Sequence, residues 1–77
     1  MDIRKIILIH QLIKTNRTGN PKTLATRLGV SERTVYTYIS FFKKTLRAPI
    51  KWNTIKESYT YENNGDINFT WQEKITK

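Results

Sequence analysis

Residues 21–40 read PKTLATRLGVSERTVYTYIS, an order that dictates two short helices joined by a tight turn. Asn20 stands before the stretch as a cap, and Pro21 suits a first helical turn, where a missing N–H costs nothing. Leu24, Ala25 and Leu28 form an apolar stripe, and small Ala25 lets a neighbouring helix approach. Gly29 follows at once, where a chain leaving a helix commonly turns left-handed. Ser31 caps the next helix, whose Val35, Ile39, Phe42 and Leu46 recur at helical spacing.

Upstream, a helix is expected over about 2–16. Ile6, Ile9 and Ile13 share one stripe, with Leu8 and Leu12 well round the cylinder and Ile7 on the other side. This apolar arc is wider than one surface helix needs. Either the C-terminal strands or a second protomer must cover the excess. Arg17-Thr18-Gly19-Asn20-Pro21 is a stop-and-restart signal, with glycine ending one helix and Asn-Pro opening another.

Downstream, the helices are expected over about 21–28 and 32–47, and Pro49 bars continuation. The period then becomes two, in Ile50-Lys51-Trp52, in Tyr59 and Tyr61, and in Ile67, Phe69 and Trp71. A hairpin tip is expected at residues 53–57 and a turn at 63–66. The fold class is therefore mainly α with a small β part. It is a three-helix winged helix-turn-helix closed by a C-terminal antiparallel hairpin or three-stranded sheet over about 50–71. Seventy-seven residues suit one domain spanning 1–77, near the lower limit for a self-sufficient core.

Charge is unevenly spread. Residues 1–51 hold eleven Lys or Arg against Asp2 and Glu32, whereas residues 52–77 carry net −1 out of a total of +8. A basic helical part beside a near-neutral tail points to a polyanionic partner, although small proteins are also basic simply for solubility. Cysteine is absent, which excludes disulfides and thiolate metal sites. The Ile-rich start is too short to span a bilayer and lacks a cleavage pattern, so a cytoplasmic, nucleoid-associated protein is expected, with no membrane partner.

On residues 32–47 a polar stripe of Arg33, Thr37, Ser40 and Lys44 lies behind the core stripe. Residues near the start of an inserted helix reach base edges, which makes Arg33 first choice for bridging guanine O6 and N7. Thr37 suits a thymine methyl. Thr34 and Tyr36 flank the stripe and suit phosphate oxygens. Lys22 at the start of the preceding helix, Lys43 beside the stripe, and Asn53, Thr54 and Lys56 at the hairpin tip suit backbone anchoring. Plainer roles compete: Arg33 and Lys44 suit a solvated face, Ser31 and Thr34 suit capping, and Tyr36 can pack on the preceding helix. Phe41 falls near the polar side without an assigned neighbour.

Residues 4–62 resemble the winged helix-turn-helix domain of bacterial transcription regulators, including the N-terminal domains of DeoR-type repressors and WYL-domain regulators. The matching residues are Leu12-Ile13, the run Leu24-Ala25-Thr26-Arg27-Leu28-Gly29-Val30-Ser31, then Arg33-Thr34-Val35-Tyr36, and Ala48-Pro49-Ile50-Lys51-Trp52. Short stand-alone members with an aromatic strand segment like residues 58–71 are especially similar. The resemblance implies sequence-specific binding of double-stranded DNA and a role in transcription regulation. Its DNA contacts are then Lys22, Ser31, Arg33, Thr34, Tyr36, Thr37, Ser40, Lys43, Lys44, Asn53, Thr54 and Lys56. Thr37 stands where such regulators often carry a basic residue.

No enzyme is expected. His10 is the sole histidine and falls beside the first helix's core stripe, where a packed, hydrogen-bonded histidine is the common case. No catalytic set or metal cluster assembles, and neither a cofactor nor a small-molecule ligand is evident. Trp52, Tyr59, Tyr61, Phe69 and Trp71 offer a stacking platform for single strands only in principle, because their segment lacks a basic groove. The rival functions are an architectural or excision factor of a mobile element and a winged-helix protein-interaction module. Pairing into a homodimer stays open.

Overall fold

The computed structural model describes residues 2–63, 65–67 and 71–73, and its side chains through residue 63. Three helices come first, α1 (Ile3–Lys14), α2 (Pro21–Leu28) and α3 (Glu32–Lys44). Four short strands follow, β1 (Ile50–Asn53), β2 (Ser58–Tyr61), β3 (Gly65–Ile67) and β4 (Trp71–Glu73).

Each helix starts on a side-chain cap that satisfies a backbone donor left free by helix geometry. Asp2 Oδ1 accepts from Arg4 N–H at 2.9 Å, Asn20 Oδ1 from Thr23 N–H at 2.8 Å, and Ser31 Oγ from Thr34 N–H at 3.2 Å. The ends of α1 and α2 share one device. Asn16, at φ 57°, reverses the chain so that Arg17 N–H reaches Leu12 O at 2.9 Å. Gly29, at φ 69°, does the same, sending Val30 N–H to Ala25 O at 3.0 Å. Both are left-handed closures of the Schellman kind. Asn16, not Gly19, therefore ends α1, two residues before the expected boundary.

Helix α3 also stops short of residue 47. Its last turn widens, with Leu46 N–H on Phe41 O at 3.2 Å and Ala48 N–H on Phe42 O at 2.9 Å, and Arg47 takes φ 56°. The early reversal turns both Leu46 and Ala48 into the core, which straight continuation to Pro49 forbids. That core joins Ile9 and Ile13 of α1, Leu24, Ala25 and Leu28 of α2, Val35, Tyr38, Ile39 and Phe42 of α3, and Ile50 and Tyr59 of the hairpin. Phe42 is fully enclosed, and Phe42→Ala would cost about 3–5 kcal/mol through lost transfer energy plus a cavity. Phe41 is half-buried against this cluster and meets Phe42 edge-on, which settles its place.

Strands β1 and β2 form an antiparallel hairpin in the register Ile50↔Tyr61, Lys51↔Thr60, Trp52↔Tyr59 and Asn53↔Ser58. The turn occupies residues 54–57, so Asn53 belongs to the strand and supports the turn by accepting Lys56 N–H at 2.9 Å on Oδ1. No third strand joins this sheet among the described residues. Gly65 and Asp66, expected in a turn, lie in β3, which pairs antiparallel with β4 as a separate ribbon. Ile67 pairs with Trp71 in the register of that ribbon. A spacing of two suits one strand or the two arms of a tight hairpin equally, and the alternation is blind to the difference. Phe69, the middle residue of that expected strand, lies outside the described residues.

The α1 arc is only partly covered. Strand β2 packs against α1, yet Ile3 and Ile7 remain 69% and 52% exposed.

Candidate nucleic-acid interface

A polar face on α3 and the hairpin beside it are set by the core packing just described. With Val35, Tyr38, Ile39 and Phe42 buried, helical geometry leaves Arg33, Thr37 and Lys44 exposed on the opposite side and Ser40 half-buried among them. The Arg33 guanidinium stands in the first turn of α3, where the strongest readers of an inserted helix sit. Thr37 Oγ1 donates to Arg33 O at 3.2 Å, which spends its hydroxyl on the helix backbone.

Several residues have internal work as well. Ser31 Oγ caps α3 and lies 3.1 Å from Thr34 Oγ1, and the Asn53 carboxamide oxygen is spent on the hairpin turn. Thr54 and Lys56 are exposed at that turn, as are Lys43 on α3 and Lys22 in the first turn of α2. Tyr36 is 56% exposed and stands close enough to Tyr59 for its phenol to act on the Tyr59 hydroxyl. Burial first, and the Tyr36 phenol second, push the Tyr59 hydroxyl above its usual range.

The structure adds residues that sequence spacing did not single out. A groove of about 480 Å³ runs between the hairpin and α2, lined by Arg17, Asn20, Thr23, Arg27, Trp52 and Lys56 among others. It gathers Arg17, Arg27 and Lys56 from three separate segments around one groove, with Glu57 also on its wall. The only advance signal was their charge, since their proximity is a product of tertiary packing. Trp52 forms the groove's apolar wall and meets the Tyr59 ring edge-on at 5.2 Å. His10 is held away from this face, its Nδ1 2.7 Å from the Tyr61 hydroxyl and the two rings tilted at 50°.

Caps, glycine turn, polar third-helix face and hairpin thus occur in the order of a DNA-reading unit. The profile of the HTH domain family matches residues 4–55. The chain belongs to the HTH domain family. Within this HTH domain the match spans all three helices, β1 and the start of the turn after it. The hairpin supplies the wing of a winged helix-turn-helix. No curated protein and no solved structure matches the chain significantly. Among the described residues, no helix of the HTH domain is long and apolar enough to cross a membrane.

Proposed function

We propose that this domain binds double-stranded DNA sequence-specifically as a transcription regulator, placing α3 in the major groove. The observation that carries this reading is the exposed Arg33–Thr37–Lys44 face directly behind a fully packed core stripe. Arg33 reads a guanine edge, Thr37 meets a thymine methyl, and Ser40 and Lys44 continue along the groove. Lys22, Ser31, Thr34, Tyr36 and Lys43 hold phosphate oxygens beside it. Asn53, Thr54 and Lys56 of the wing touch the adjoining backbone. The work is binding without catalysis, carried out in the cytoplasm on the nucleoid, by one domain that takes no cofactor.

Selection from random duplexes tests this reading. A defined site is expected, bound with an affinity that falls steeply with salt, by about 0.9 log units per log unit for each phosphate neutralised. A pool that stays unenriched, or affinity indifferent to salt, overturns it. A palindromic site would further report a homodimer.

One observation favours a second reading, an architectural factor that bends its site. Ile55 is 95% exposed at the wing tip, between Thr54 and Lys56. Apolar wedges of this kind enter the minor groove, part a base step and kink the duplex. Circular-permutation mobility on the selected site separates the two, since a kink lost in Ile55→Ser identifies the wedge.

A further inference from the structure

Helix α1 keeps an apolar row that stays open to solvent. Ile3 and Ile7 stand one turn apart, 69% and 52% exposed, and Leu8 beside them is 39% exposed. Isolated isoleucines are ordinary on a protein surface, but these three adjoin on one helix. From Leu8 the row runs into a cleft of about 380 Å³ between α1 and α2, where Arg27 and Leu28 line the α2 side. The charge around the row has one sign. Helix α1 contributes Arg4, Lys5 and Lys14 and no acid, and Arg27 adds a fourth cation from α2. The acid at the cleft is Asp2, which caps α1 and is shared by Arg4 at 3.4 Å and Lys5 at 3.7 Å. A second copy of the chain fits this face badly. Two-fold pairing would set like-charged rims against each other, well inside the screening length of about 8 Å at physiological salt. Nor does the chain's own end complement it, because residues 64–77 hold Asp66 and Glu73 against Lys74 and Lys77, with no net charge. Apolar side chains rimmed by carboxylates match both features of the face.

We propose that α1 and the α1–α2 cleft dock an acidic amphipathic helix of another protein. Its apolar side chains lie on Ile3, Ile7 and Leu8, and its carboxylates meet Arg4, Lys14 and Arg27. This is recognition of a helix by its apolar anchors one turn apart. The apolar contact supplies adhesion, while opposite charge supplies orientation and rapid encounter. The face is small, so the complex belongs to the weak, exchanging class. It uses none of the residues assigned to DNA contact.

The probe is a fluorescein-labelled helical peptide of about 18 residues, with leucines at i, i+3, i+4 and i+7 and glutamates on its flanks. Anisotropy at about 0.15 M salt should give a Kd of about 100 µM or tighter, with amide shift changes centred on residues 3–8, 27 and 28. A scrambled peptide of the same composition keeps the charge and loses the apolar face, and should bind about tenfold more weakly or worse. Ile7→Ser, at an exposed position, should weaken binding about fivefold or more while melting close to the parent, since the two residues have similar helix propensity. Arg27→Gln should weaken it several-fold, whereas Arg33→Gln, an equal change of charge on α3, should leave it unchanged. Absence of binding, binding that the scramble matches or Ile7→Ser spares, or equal loss in Arg27→Gln and Arg33→Gln overturns the proposal. So does sedimentation as a dimer that Ile7→Ser abolishes, which gives the face to a second copy. Flotation with phosphatidylserine vesicles that Ile7→Ser abolishes gives it to a membrane and overturns the proposal too. Because the peptide is titrated without DNA, failure here leaves the reading of α3 untouched.

Discussion

Thr18 and Ser58 lie 40 positions apart, and their side-chain oxygens meet at 3.0 Å in the fully buried seam between the α1–α2 loop and the wing. Ser58 Oγ also accepts Thr18 N–H at 3.1 Å, and Thr18 Oγ1 accepts Tyr59 N–H at 2.9 Å. Two small hydroxyls thereby satisfy backbone groups on both sides of the seam. Removing either one strands the backbone N–H that donates to it, with no water to replace it. Ser58→Ala and Thr18→Val should each destabilise by about 1–3 kcal/mol. The double variant should lose less than the sum, because one network cannot be broken twice. Urea unfolding of the four proteins measures this, and strict additivity would show that the two residues act separately.

Arg33→Ala should weaken the selected site by about 1–3 kcal/mol and relax base preference at one position. Lys22→Ala should weaken selected and random duplexes alike, and lower the salt slope by about one phosphate. Fluorescence anisotropy across a salt series, repeated on single-base variants of the site, reads both effects. Equal affinity for the selected site with and without Arg33 would remove α3 from the major groove.

Two glycines with nearly the same backbone should respond differently to a methyl group. Gly19 sits at φ 70° and Gly29 at φ 69°, so Ala at either position incurs the left-handed penalty of about 1–2 kcal/mol. At Gly19 the new Cβ would also lie 2.9 Å from Thr23 Cγ2, in the first turn of α2, whereas Gly29 has open space. Gly19→Ala should therefore melt lower than Gly29→Ala. Thermal unfolding monitored by circular dichroism decides the order.

The raised hydroxyl of Tyr59 sets an alkaline limit on stability. Its folded-state value lies above the unfolded one, so the native state keeps the proton longer. The resulting stability is complete below the unfolded value near 10.0 and is lost as pH climbs through the folded value. Tyr59→Phe cannot ionise there. Denaturant midpoints of parent and variant, compared from pH 8 to 11, should converge or cross in favour of Phe as pH rises. A constant gap would assign no linkage to this phenol.

The helical half of the fold was legible because its signals are local. Asn20-Pro21, Gly29 and Ser31 each act within a turn of their own position, and α2 begins and ends where they place it. The exposed face of α3 followed from the spacing of four core residues. The wing was legible as a hairpin, but among the described residues its sheet has two strands, because period-two spacing does not state which segments pair. The ends of α1 and α3 were misplaced for another reason. Asn16 and Arg47 adopt positive φ without being glycine, each just ahead of a buried residue, Thr18 or Ala48. Neither the Thr18–Ser58 seam nor the Arg17–Arg27–Lys56 groove has a sequence signature, since each joins segments that meet only after folding.

Helix α1 is moored at both extremities. Its leading end is tied to α3 by Asp2 N–H on the Tyr38 hydroxyl at 3.1 Å, and its trailing half to β2 by His10 and Tyr61. With the rod fastened at these two places, Ile3 and Ile7 lie at the surface. Two such molecules meeting there also repel, since each carries +8. Concentrated electrolyte shortens the reach of that repulsion to about 3 Å at 1 M while strengthening apolar adhesion, and brine is thus the medium in which this small basic protein becomes sticky.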